Sequence, residues 1–214
     1  MTFIPELSVL IPFLIATIVI SITPGPDMAL FLGRALSQGR AAGLACVAGS
    51  STGCVIHSGF AALGLSALIV ASQPAFLALK IVGACYLVWL AYQAVRHGST
   101  FAPNRNAPGR PVSMLRNWAT ATIVDLTNPK VVLFYMTFLP QFVSVSDPDA
   151  VGKLFFLGIL IVAVTIPFNV GFVLTAHRFA GLLKRNPRIT RVVDYLFAGV
   201  FGAFAIRILA TRNG

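Results

Sequence analysis

Asp27, Asp125 and Lys130 are ionisable residues in stretches that otherwise read as membrane-crossing. Asp27 follows two prolines in SITPGPDMAL (residues 21–30). Lys130 follows a third in LTNPK (126–130), with Asp125 about one turn earlier. Buried carboxylates can hold an ammonium group or carry a proton, and a buried ammonium can hold a carboxylate. An amino acid zwitterion therefore fits this set of charges, with its carboxylate toward Lys130 or the amides of a half-helix and its ammonium toward Asp27 or Asp125. Intramembrane charges are costly, and they commonly face a cavity, pair with one another, or mark a solute or proton path. A structural ion pair between Asp27 and Lys130 is the plain alternative, and a pair that opens during a transport cycle would satisfy both readings.

The prolines supply the setting. Proline lacks an amide donor and clashes with the preceding turn, so Pro24, Pro26 and Pro129 break helices. A break exposes free amides at the start of the second half-helix, which suit an anion, and frees carbonyls at the end of the first. In hydrocarbon such freed groups must find partners, so breaks are expected where they line a cavity. His57, in SSTGCVIHSGF, is suited to proton coupling by its titration range, and equally to hydrogen-bonded packing. Asn169 follows Pro167 in TIPFNVG and is a candidate for lining a path. Cys46, Cys54 and Cys85 match no zinc or redox spacing and read as small packing residues. Asp194, close to Arg191, reads as a surface residue.

The elements that must carry these residues are apolar. Of 214 residues, 57% are hydrophobic and 10% charged, with mean hydropathy +0.86. A soluble domain has about 25% charged residues, so the chain reads as an integral membrane protein. The net charge of +10 does not point to nucleic acid, because the basic residues fall between hydrophobic runs. MTFIPEL lacks a basic region and no A-x-A-like site follows the first run, so no cleavable signal peptide is expected. A crossing helix needs about 20 apolar residues. Six candidates fit: 6–24 (continuing past the break to about 33), 42–71, 75–95, 118–143, 152–177 and 192–211. In the second, Ala45, Gly49 and Gly53 repeat at four-residue spacing, a close-packing pattern.

Residues 97–117 form a polar linker between 1–96 and 118–214. Basic residues prefer cytoplasmic loops. Arg34 and Arg40 follow the first span; Arg96, Arg105, Arg110 and Arg116 the third; Arg178, Lys184, Arg185, Arg188 and Arg191 the fifth. The alternation predicts both termini outside and the 97–117 linker in the cytoplasm. Three spans per half means that the second half enters the membrane from the opposite side. ITPGPDMALF (22–31) aligns with LTNPKVVLF (126–134), and VGACYL (82–87) with AGVFGA (198–203). The expected fold class is thus an all-α integral membrane protein of six transmembrane helices in two inverted three-helix repeats, with broken helices at the PGP and NPK motifs. Paired breaks in corresponding positions point to a transporter's binding site.

At these motifs the chain resembles the LysE/RhtB-type family of amino acid exporters. TPGPDMAL, GRAAGLACVAGSSTG (39–53), LKIVGACYLVWLAYQAVR (79–96) and NPKVVLFYMTFLPQFV (128–143) occur in family order and cover most of the chain. The resemblance implies a secondary transporter in the bacterial inner membrane. It would export an amino acid or related small metabolite by proton antiport with alternating access, with no cofactor. By position, Pro24, Gly25, Pro26 and Asp27 match the first family motif, and Asn128, Pro129 and Lys130 the second. Asp27, Asp125 and His57 are the candidates for proton coupling, and Asn169 for lining the path. The partners expected are the small-molecule substrate, the proton and membrane lipid, with self-association into a homo-oligomer left open and no nucleic acid. A channel or metal-ion permease would call for rings of acids or His/Cys/Met clusters, in which the sequence is poor. A membrane-embedded enzyme would call for a nucleophile with its base, or clustered metal ligands; no such set stands out.

Overall fold

A computed structural model describes residues 4–65, 67, 71–97, 112–144 and 147–210. The linker expected at 97–117 falls mainly on 98–111, outside the described residues, as do the side chains of Lys80, Pro129 and Arg207. The described residues are helical, without strands.

The first span is two helices. α1 (Leu7–Ile22) ends at Thr23, and α2 (Pro26–Gln38) starts with Pro26 at its first position. The two are bent by 49°. Proline is tolerated at the first turn, where its missing amide would have had no partner. Thr17, Ser21 and Thr23 donate their hydroxyls to carbonyls one turn back, at 2.5–2.9 Å, so α1 satisfies these polar side chains internally. α2 continues to Gln38, beyond the expected end near 33, and stops at Gly39, whose φ of 93° suits glycine because it has no Cβ.

α3 (Arg40–Phe60) continues as a π-turn over Ala61–Leu65. Its glycines bring α5 (Met114–Thr127) into close contact. A Cβ at Gly49 would strike the Trp118 carbonyl, and one at Gly53 would strike the Asp125 carboxylate. Thr122 Oγ1 donates to Gly49 O across this seam at 3.0 Å. The four-residue spacing expected to serve packing does so here. α4 (Gln73–His97) packs against α9 (Pro187–Ala210), and α7 (Ala150–Leu174) lies against α1 and α3.

The fourth expected span, 118–143, is interrupted. α5 ends at Asn128, and α6 (Pro129–Leu133) passes into a π-turn (Phe134–Phe138) and a 3-10 turn (Leu139–Phe142). Phe13, Phe134, Phe138 and Phe201, all buried, form an aromatic core behind this irregular stretch. The basic segment after the fifth span, expected as a loop, contains the helix α8 (Ala176–Arg185). Asp194 corrects its reading as a surface residue: it is 1% exposed. By length and composition, three helices among the described residues could each cross a membrane, or four if α1 and α2 count as one bent span.

Candidate functional site

The two breaks meet. Lys130, just after the second, extends its Nζ to the carbonyls that the first has left open: Thr23 O at 2.8 Å and Ile20 O at 3.1 Å. Asn128 works in both directions. Its Oδ1 accepts from the Lys130 amide at 3.0 Å, capping α6, while its Nδ2 donates to Asp27 Oδ2 at 2.7 Å. A Cβ at Gly25 would lie 3.5 Å from Lys130 Nζ, so the first break runs close past the lysine side chain. No Asp27–Lys130 ion pair within 4.0 Å occurs among the described residues. The ammonium is taken up by backbone carbonyls instead.

Asp125 lies one turn before the second break and is fully buried. Its Oδ1 accepts from Ser50 Oγ at 2.9 Å and from Cys54 Sγ at 3.5 Å, both on α3. Behind it, His57 Nε2 is 3.4 Å from the Asp125 carbonyl and 4.0 Å from its Oδ2. The imidazole stacks on Tyr135 with centroids 5.4 Å apart. Tyr135 Oη in turn donates to Gly158 O at 3.3 Å.

These groups surround a cavity of about 80 Å³, several times the roughly 10–15 Å³ that one water needs on the same measure. Gly25, Asp27, Asp125, Asn128, Lys130 and Asn169 all line it. Pro24, Pro26 and Pro129 shape the backbone around it, and His57 stands behind Asp125 without lining it. Met28, Phe31, Phe134 and Ile161 supply an apolar wall. Ser50, Cys54 and Tyr135 also line the cavity, although sequence reasoning assigned them no role and read Cys54 as packing. The available signal was register, since Ser50, Cys54 and His57 fall three or four residues apart and so share one helical face.

Of the buried side-chain oxygens without a hydrogen-bond partner among the described residues, two belong to carboxylates that line the cavity, Asp27 Oδ1 and Asp125 Oδ2. Buried polar atoms are rarely left unpaired, and Asp125 Oδ2 has only the 4.0 Å approach of His57 Nε2. An ammonium has three donors, and Lys130 commits two of them to α1. Among the described residues, no group of three or more His, Cys, Asp or Glu is placed to hold a metal ion.

Apolar helices interrupted at a shared polar cavity are the architecture of proteins that handle small solutes within a membrane. The profile of the LysE type translocator family matches residues 18–212, and the chain belongs to that family. It is similar to a homoserine/homoserine lactone efflux protein of Salmonella typhimurium, at 29% identity over 94% of this chain and 96% of the relative. An uncharacterized membrane protein of Vibrio cholerae is 28% identical, over 92% and 94%. A leucine efflux protein of Salmonella choleraesuis is 26% identical, over 94% of each. No solved structure gives a significant match. As a member of a family of translocators, the chain is a membrane transport protein and not an enzyme.

Proposed function

We propose that this protein exports an amino acid or a closely related small metabolite from the bacterial cytoplasm by proton antiport with alternating access. The observation that carries the reading is a cavity lined by two carboxylates, Asp27 and Asp125, each with one oxygen outside any hydrogen bond, together with Lys130. The substrate ammonium is held by Asp27 and its carboxylate by the uncommitted donor of Lys130. Asp125, with His57 behind it, carries the proton. Asn169 lines the path, and Pro24, Gly25, Pro26 and Pro129 hold the breaks open.

Further support comes from how the halves pack. α3 packs on α5 as α7 packs on α1, the reciprocal arrangement that an inverted repeat of 1–96 and 118–214 requires. In this reading α1–α2, α3 and α4 are the three crossings of the first half. α5–α6, α7 and α9 are those of the second, with both termini outside the inner membrane. The two halves rock about the cavity to alternate access. Efflux function in the homoserine and leucine relatives supports an amino acid as cargo.

The test is efflux from proteoliposomes loaded with labelled homoserine, homoserine lactone or leucine, with and without an acidic exterior. The gradient should accelerate efflux of at least one of them. Asp27→Asn should lose substrate-dependent efflux, and Asp125→Asn should lose the response to the gradient. Full coupled activity in both variants would overturn the carboxylate roles.

A further inference from the structure

A second cavity, of about 370 Å³, lies where the α2–α3 turn meets the α7–α8 turn. Ala35, Val173 and Leu174 form an apolar wall, and Arg40 and Arg178 provide its positive charge, with His177 beside them. The three basic side chains are exposed. Neither Arg40 nor Arg178 pairs with a carboxylate among the described residues. Two helices also begin at this cavity. α3, of 21 residues, starts after Gly39, and α8, of 10 residues, starts after Thr175. Neither first turn receives a side-chain cap. α2 and α7 end at the same turns, so the helix dipoles offset one another there, and the preference for an anion rests on arginine, whose fork matches the oxygens of a phosphate.

The apolar wall narrows the choice of anion. Val173 and Leu174 are the last residues of the 25-residue apolar helix α7, and Leu174 is 43% exposed. The cavity therefore sits where apolar surface gives way to basic turns. In the sequence of α8, AHRFAGLLKR, apolar residues at 176, 179, 180 and 183 alternate with basic ones at 177, 178, 184 and 185. That is the pattern of a helix lying in the plane of a membrane interface.

The geometry points to a binding site for the phosphate headgroup of an anionic phospholipid. The phosphodiester accepts from Arg40 and Arg178. The glycerol and first methylenes cover the exposed Leu174. Basic pockets between membrane helices on the cytoplasmic side are suited to such headgroups. The site is separate from the cavity at the two breaks and shares no lining residue with it.

The experiment uses the full chain purified in a neutral detergent. Short-chain phosphatidylglycerol, short-chain phosphatidylcholine or inorganic phosphate is added, and the melting midpoint and native mass spectrum are recorded. Phosphatidylglycerol should raise the midpoint and survive as a bound adduct, whereas phosphatidylcholine should do neither. Arg40→Gln combined with Arg178→Gln should weaken phosphatidylglycerol binding about thirtyfold, at about fivefold for each basic residue near the surface. Arg188→Gln, an exposed basic residue outside the cavity, should leave binding unchanged. Should the double variant misfold, the single variants carry the test, each expected to lose about fivefold. Wild-type affinity in these variants overturns the site. Displacement of the lipid by millimolar inorganic phosphate, with the same rise in midpoint, overturns the lipid assignment in favour of a soluble anion.

Discussion

The break after α1 and the break after α5 are built from similar sequence and completed in opposite ways. The second completes itself, because Asn128 caps α6 through the Lys130 amide. The first has no side-chain cap on α2. Its open carbonyls and its carboxylate are met by Lys130 and Asn128 from the other half. One break is thus a donor and the other a recipient. Some of the polar contacts between residues 1–96 and 118–214 are thus the ones that satisfy the first break. If the halves rock apart, those polar groups need substitutes. In the proposed transport cycle a zwitterion would offer them, with an ammonium for acceptors and a carboxylate for a donor, so that loading of the cavity and movement of the halves would become one event.

The harshest way to break this comparison is Lys130→Met. It removes the only cation at the cavity among the described lining residues and leaves Thr23 O and Ile20 O without the ammonium. Each charge-assisted bond is worth about 1.5–3 kcal/mol, so losing both should depress efflux by about a hundredfold or more and lower the melting midpoint. Efflux assays and thermal unfolding in detergent check this. Unchanged substrate affinity with reduced stability would make Lys130 a structural cap alone.

Asn128→Asp sharpens the comparison by separating the residue's two tasks. The aspartate keeps an oxygen for the Lys130 amide, so α6 should remain capped and helix content should hold by circular dichroism. It loses the donor to Asp27 and sets a second carboxylate beside it. Like charges at such a contact are unfavourable, and efflux should fall about tenfold, less than in Lys130→Met. Asn128→Ala should instead cost about 1 kcal/mol through the lost cap. If Asn128→Asp keeps full efflux, the bridge to Asp27 is not part of the recipient role.

The breaks were legible because proline acts locally. Pro26 and Pro129 each open a new helix beside a glycine or an asparagine, whereas Pro12 and Pro167 lie inside α1 and α7 without ending them, and the residues after the two breaks could be named in advance. Which half would complete the other was not legible, since the Lys130 reach to Thr23 depends on how two remote segments dock. Ser50 and Cys54 were missed because small residues in an apolar helix look like packing until a carboxylate is seen facing them. Asp194 was misread because its sequence neighbour Arg191 suggested the surface, while the fold of α9 turns it inward. The basic stretch after α7 was read as a loop because its charges were weighed for topology. The helical period within its ten residues is short and easily lost beside them.

The smallest effect is expected far from both breaks, which makes it the control for the comparison. In the turn before α7, Lys153 Nζ donates to Asp147 Oδ2 at 2.6 Å, with the side chains 22% and 13% exposed. Partial desolvation would raise the Asp147 pKa above its ordinary 3.8. The bonds from Lys153 and from the Asp149 amide outweigh it, so the folded-state value lies below 3.8. A lowered folded-state pKa means that the pair stabilises fully above the unfolded value and that its contribution fades as pH falls through the folded one. The pair is partly open to water, and ion pairs that water can screen are worth little, about 0–1 kcal/mol. Lys153→Met should therefore lower the melting midpoint slightly at neutral pH, with the difference from wild type closing as the pH is taken well below 3.8. Efflux at neutral pH should stay at the wild-type rate. A fall in efflux as large as that of Asn128→Asp would mean that polar contacts anywhere in the fold disturb transport equally, and the pairing of the two breaks would lose its special standing.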